Sequence, residues 1–266
     1  MRKEIRRLVL KNKNGIIKIR IGFLILTIAI FLIPNVSLAK ETIKGKLRTC
    51  ILGKFEKGKI NLRIEATEEE LSQGIFRRIH LEAEELNTFA KAKEFFAKDM
   101  GLSKDIMNAS LPGLIVDEAV AVVTQGKFDL KALIEKGQFK TLSLEKVDFY
   151  VAVSEKNLTE FIRKQNPHLK NLKIQLGKDR AEVRFNYIIF PVVMTGRFVL
   201  EGSKVYLREF RLYLVGIQMI VIQQMMAARV NPLADLKQFP FSVELEKIEV
   251  TPGYLKMYTK GMKKLD

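Results

Sequence analysis

The chain has 266 residues, with 46 Lys and Arg against 30 Asp and Glu, two His, one Cys, no Trp and seventeen Phe. A single cysteine excludes an internal disulfide. Two widely separated histidines exclude metal spacing of the His-Glu-x-x-His kind, and neither a Gly-x-Ser-x-Gly elbow nor a phosphate-cradling Gly-x-x-x-x-Gly-Lys-Ser/Thr loop occurs.

Residues 1–39 read as an export leader. Arg2, Lys3, Arg6, Arg7, Lys11, Lys13, Lys18 and Arg20 form a basic lead, Ile21 to Ile33 carries no charge, and Pro34 precedes Ser37-Leu38-Ala39, with small residues where a signal peptidase reads. The apolar core of about 13 residues is short of the roughly 20 that a spanning helix needs. An uncleaved anchor with its basic end inside is the alternative, and either places the body outside the cytoplasm, in the periplasm or cell envelope. Without residues 1–39 the balance falls from +16 to 38 basic against 29 acidic, or +9. A basic exported surface suits anionic lipid headgroups or wall polymers. No basic run interleaves with aromatics as nucleic-acid binding requires, so nucleic acid is not an expected partner.

Residues 40–266 are long enough for one core and read as a single domain. Cys50 lies eleven residues beyond Ala39 behind Leu47-Arg48-Thr49, which lacks the small residues of a lipoprotein site, and is expected as a buried thiol. Ile60, Leu62 and Ile64 alternate with polar residues as in a strand with one wet face. Thr67 before Glu68-Glu69-Glu70 suits a helix N-terminus or a solvated loop. Ile79-His80-Leu81 reads as strand, so His80 is expected to be structural, and Glu82, Glu84 and Glu85 as solvated carboxylates. A helix over 84–100 aligns Phe89, Ala92, Phe96 and Met100, flanked by Lys91, Lys93 and Lys98. It suits either a half-buried position or a membrane surface.

Asp129 can cap a helix bearing Leu130, Leu133 and Ile134 and stopped by Gly137. Ser154 can cap another bearing Leu158, Phe161 and Ile162 and closed by Pro167, which leaves His168 in a solvated turn. From 172 to 214 the pattern is a four-stranded meander. Leu172, Ile174 and Leu176 form one alternating set, Val183, Phe185, Tyr187 and Ile189 the next, and Phe210, Leu212 and Leu214 another. Gly177-Lys178 and Gly202-Ser203 suit its turns, and Pro191 a bend. Residues 216–230 follow as a helix apolar nearly all round, since Gln218, Gln223, Gln224 and Arg229 define no broad wet face. Such a helix is buried in protein or faces lipid, and Asn231-Pro232 ends it.

Several stretches, in order, resemble one family. Ser72-Gln73-Gly74-Ile75-Phe76 leads into a strand, Phe128 to Leu133 opens a helix, and Val153 to Leu158 passes from strand to helix. Ala228 to Leu233 with Phe239-Pro240 leaves a late helix, and Val243 to Met257 turns at Pro252-Gly253. Across 58–261 this order resembles the LmeA-like phospholipid-binding family of exported envelope proteins. The resemblance implies phospholipid binding in support of envelope lipid or glycolipid metabolism, a fold similar to tubular lipid-binding domains, and no catalytic residues or cofactor.

The expected architecture is therefore α+β, a strongly curved antiparallel sheet wrapping a long apolar helix. The expected function is to hold phospholipid acyl chains in an apolar groove, with an anionic membrane surface as a further partner. Candidate lining residues are Phe185, Tyr187, Ile189, Val193, Phe198 and Leu200 on the strands, and Ile217, Met219, Ile220, Met225 and Met226 on the helix. Flexible, polarizable Met side chains suit variable chains, although the same stripe also serves as plain core. Lys204, Arg208 and Arg211 are candidate rim charges, or residues of a solvated strand face. Two alternatives remain open: an envelope scaffold with a filled core, and an enzyme of glycolipid maturation whose carboxylates converge in a polar cleft.

Overall fold

The period-two patterns become two antiparallel sheets in the computed structural model, which describes residues 42–53, 58–87, 114–235 and 244–262. The leader and residues 88–113 lie outside the described residues. So does most of the helix expected over 84–100, and its first four positions are strand instead.

In chain order the elements are α1 (Ile43–Leu52), β1 (Lys59–Glu65), α2 (Glu68–Ser72), β2 (Ile75–Asn87), β3 (Ile115–Phe128), α3 (Leu130–Lys136), β4 (Thr141–Ser154), α4 (Glu155–Gln165), β5 (Leu169–Leu176), β6 (Ala181–Tyr187), β7 (Phe190–Glu201), β8 (Lys204–Leu214), β9 (Ile217–Gln218), α5 (Ile220–Val230), β10 (Ala234–Asp235), β11 (Leu245–Thr251) and β12 (Tyr254–Thr259). The first sheet has the order β1-β2-β3-β4-β12-β11. The second has the order β10-β8-β7-β6-β5, with β9 added beside β8.

The expected helix signals act where the residues predict. Thr67 and Glu70 form a reciprocal capping box on α2. The Asp129 carboxylate accepts from the Ala132 amide at 2.9 Å, and Gly137 ends α3 in the left-handed conformation at φ +59°. The Ser154 hydroxyl caps α4. α1, α2 and α3 seal one end of the first sheet, where Leu47, Ile51, Leu71, Leu133 and Phe139 are essentially inaccessible. Phe139 sits against Phe76 and Phe128, with ring centroids 6.4 and 5.5 Å away. Cys50 is buried here and donates to the Gly137 carbonyl. Gly74 permits the close approach that joins α2 to β3. Its carbonyl accepts from the Phe128 amide at 2.7 Å, its φ is +71°, and a Cβ would meet the Phe128 oxygen at 2.4 Å.

The main core runs between the sheets, bringing Leu172, Leu176, Ala181, Val205 and Leu233 of the second half against Val147, Val151, Val250 and Met257 of the first. The β5–β6 turn ties the second sheet to the first. The Asp179 amide donates to the Val250 carbonyl at 2.9 Å, and the Gly253 amide to the Leu176 carbonyl at 3.1 Å. The opposite end of the second sheet has no such tie among the described residues.

Two expectations are corrected here. The meander has its four strands, β5 to β8, but Pro191 is not a bend. It pairs with Asn186, and the chain reverses at Ile188, whose φ is +59°. The helix expected over 216–230 starts only at Ile220, because residues 217 and 218 pair with Leu214 and Tyr213. Among the described residues, no helix is long and apolar enough to cross a membrane.

Candidate functional site

The edge of β8 that faces away from β7 is paired at its ends only, by β9 at 213–214 and β10 at 204–205. α5 runs back along the gap between them. At its start the Met219 amide donates to the Leu212 carbonyl at 2.8 Å. Just past its end the Asn231 side chain acts as a missing strand, accepting from the Leu207 amide at 2.7 Å and donating to the Leu207 carbonyl at 2.9 Å. These bonds satisfy edge groups that water would otherwise have to meet.

Between these anchors Met219, Ile222, Met226 and Ala227 pack on a second apolar cluster, which meets the main core at half-buried Phe185 and Leu207. Its buried members are Val192, Phe210 and Leu212, with Phe185, Tyr187, Met194, Leu207 and Leu214 half-buried around them. No residue of α5 is fully buried where its burial is described. The outward face, Ile220, Val221, Gln224, Met225 and Ala228, is exposed and carries no charge. The helix has no side-chain cap at its N-terminus, so tertiary contact rather than local signal holds it.

At the start of α5 the second sheet ends in two turns side by side, Ile188-Ile189 between β6 and β7 and Val215-Gly216 between β8 and β9. The Val215 amide donates to the Pro191 carbonyl at 3.0 Å and binds the turns together. Eight of the eleven large apolar side chains exposed among the described residues gather at this end, the other three being Ile134, Leu142 and Tyr254. Ile189 is 75% exposed and Val221 70%. Scattered exposed apolar residues need no explanation, but a contiguous set does.

The structure divides the expected lining residues into four groups. Phe185, Tyr187, Met219 and Met226 meet in the cluster under α5. Phe198 and Leu200 share the face of Val192 and Met194 but lie farther along β7, where that face packs on the main core; the extra residue of the bulge lies in β8, where Arg208–Arg211 spans Arg197–Thr195. Val193 alternates to the other face of the sheet, between Arg184 and Tyr213. Ile189, Ile217, Ile220 and Met225 stand exposed at the open end rather than inside a groove. Ile188, Phe190, Val215, Val221 and Ile222 belong to the same region and were missed. The signal was available, since Tyr187-Ile188-Ile189-Phe190 is an apolar run across a hairpin turn, where Gly, Asn, Asp or Ser is the usual chemistry.

Two of the three expected rim charges sit elsewhere. Lys204 borders the Gly202 turn at the opposite end of β8. Arg208 is held in a bidentate pair by Glu201 at 2.8 and 2.7 Å and lies over the Tyr206 ring. Hydrogen bonds from Arg208 hold the Glu201 carboxyl below its ordinary range, and those from Arg197, helped by Arg180, do the same for Glu209. Arg211 is exposed on the outer face of β8.

The first sheet offers a different feature, an open cleft of about 680 Å³ lined by Asn61, His80, Glu82, Glu118, Tyr150 and Met262 among others. His80 Nε2 lies 3.3 Å from a Glu82 carboxylate oxygen, and Lys59 pairs with Glu84 at 3.1 Å. Burial, and then the neighbouring Glu118 carboxylate, push the Tyr150 hydroxyl up to about 12. Among the described residues no cluster of His, Cys, Asp or Glu has the arrangement of a metal site. His168 is exposed in its turn, as expected.

No protein-family model, curated protein or solved structure matches the chain.

Proposed function

We propose that this is an exported phospholipid-binding protein that holds acyl chains against the inner face of its second sheet, beside α5. The observation that carries the reading is the second apolar cluster, which adjoins the main core at half-buried Phe185 and Leu207, is roofed by a helix whose one charge is Arg229, and is continuous with an exposed apolar end. Taking a lipid into water means matching the bilayer at about 0.8 kcal/mol for each methylene, on the order of 10 kcal/mol for most of a sixteen-carbon chain. A long apolar surface is needed for that. The surface must also yield to different chains, which Met194, Met219 and Met226 suit better than branched residues.

The mechanism is binding or transfer, with no covalent step. The finer fold expectation, a curved sheet around an apolar helix as in tubular lipid-binding domains, belongs to this proposal. The seated α5 supports it. Export rests on the basic lead, apolar core and Ser37-Leu38-Ala39 at the start of the chain.

The test is native mass spectrometry of the protein purified without detergent, before and after organic extraction. A stoichiometric adduct of lipid mass that extraction removes is expected. A bare protein that also takes up no lipid from vesicles refutes the reading and leaves the envelope scaffold ahead, with α5 as ordinary packing.

A further inference from the structure

The exposed apolar end of the second sheet extends past the cluster under α5, whose members do not include its exposed side chains. Ile188 and Ile189 form one turn and Phe190 follows it, Ile217 follows the adjacent turn, and Ile220 and Val221 begin the helix. The turns are bonded to each other, and α5 starts beside them, so the six share one end of the molecule. Their surroundings are one-signed. No Asp or Glu occurs from Phe161 to Lys178, from Val183 to Leu200, or from Phe210 to Ala234, the stretches that build this end. Lys170 stands opposite Asn186, one ladder step from the turn, and Lys173 opposite Arg184. Both lysines and Arg211 are exposed and make no ion pair among the described residues, whereas Arg184 is held by Glu182.

We infer that this end is a bilayer-insertion surface: the two turns and the first turn of α5 enter the interface of an anionic membrane, while Lys170, Lys173 and Arg211 meet its headgroups. The inference rests on the lipid-binding reading and adds where the protein meets the membrane and in which orientation. Apolar side chains at the acyl boundary with cations just behind them are the arrangement an anionic interface stabilises. A second copy of the chain fits less well, because it would bring two acid-free, basic ends together.

The absence of Trp makes the test direct. Phe190→Trp places a single reporter at the inserted end, and Leu142→Trp places one on an exposed strand position of the first sheet. With vesicles of phosphatidylcholine and phosphatidylglycerol, the Phe190→Trp emission is expected to shift to the blue and become shielded from acrylamide, while Leu142→Trp does not change. Ile189→Asp and Val221→Asp each weaken vesicle binding about tenfold or more, with an unchanged thermal melt. Lys170→Glu weakens binding to phosphatidylglycerol vesicles only, by roughly fivefold or more, and added salt reduces the same component.

No shift at Phe190→Trp, or an equal shift at Leu142→Trp, overturns the inference. A shift that follows protein concentration without vesicles also overturns it and assigns the end to a second copy. A lipid adduct without insertion removes this inference and leaves the acyl-binding reading intact; insertion without an adduct does the reverse.

Discussion

The two ends of this molecule are built from similar amounts of apolar side chain and treat them in opposite ways. At the end closed by α1, α2 and α3, helices capped by Thr42, Thr67 and Asp129 cover Phe76, Phe128 and Phe139 completely. At the open end of the second sheet, a helix with no side-chain cap covers only part of the apolar surface and leaves Ile189, Ile217 and Val221 exposed. Hydrophobicity alone therefore does not decide burial. The closed end holds fully buried aromatics, and the open end leaves apolar surface exposed.

The strongest way to break this comparison is to truncate one aromatic at each end. Phe139→Ala is expected to cost about 3–5 kcal/mol, as other large core truncations do, whereas Phe190→Ala stays within about 0.5 kcal/mol, both measured by urea unfolding. Comparable losses would mean that the open end is core after all.

The glycines sharpen it next. Gly74 and Gly216 both have positive φ, but a Cβ at Gly74 would strike the Phe128 carbonyl while none of the neighbours of Gly216 lies within 4 Å. Gly74→Ala should cost about 2 kcal/mol or more and Gly216→Ala only about 1 kcal/mol, the left-handed cost alone. The same unfolding curves distinguish them.

Asn231→Ala tests how α5 is held. Losing both bonds to Leu207 leaves edge groups unsatisfied, at about 1–3 kcal/mol. Hydrogen exchange should accelerate at the Leu207 amide and through α5, with β2, β3 and β4 unaffected. Uniform acceleration would mean that α5 is part of one cooperative unit with the first sheet.

The smallest effect is in pH. Tyr150 titrates near 10 when unfolded and about 12 when folded. As pH rises through that window the unfolded chain releases its proton first and binds fewer protons than the folded one, so stability falls. Tyr150→Phe should reduce this slope between pH 10 and 12, read as the shift of the urea midpoint, with Tyr258, also raised by burial, contributing what remains. An undiminished slope in the variant would place the titrating group elsewhere.

Much of the fold was legible because it follows from local rules. Leu62 and Ile64, Leu172 and Leu176, and Phe210 and Leu212 alternate as a half-wet antiparallel strand must, and they are buried on one side. Asp129, Ser154 and Gly137 act through bonds to neighbours a few residues away, so their roles can be read without the rest of the chain. The site was legible in type but not in detail. Phe185, Tyr187, Met219 and Met226 do meet, yet Val193 is on the wrong face, Phe198 and Leu200 lie farther along the same face over the main core, and Ile189 is in a turn.

Sequence by itself determined the antiparallel strands, the capped helices, a single cysteine that can form no internal disulfide, and two apolar, acid-free stretches over 183–200 and 210–234. Each depends on periodicity, composition or contacts a few residues apart. Only the tertiary structure decided that these stretches form a second cluster beside the main core, that α5 lies along the edge of β8 between β9 and β10, and that two turns distant in sequence share one end. Those outcomes depend on register and strand order. A one-residue shift in register reverses the face a side chain meets, and no local pattern encodes which edge is left for a helix to cover.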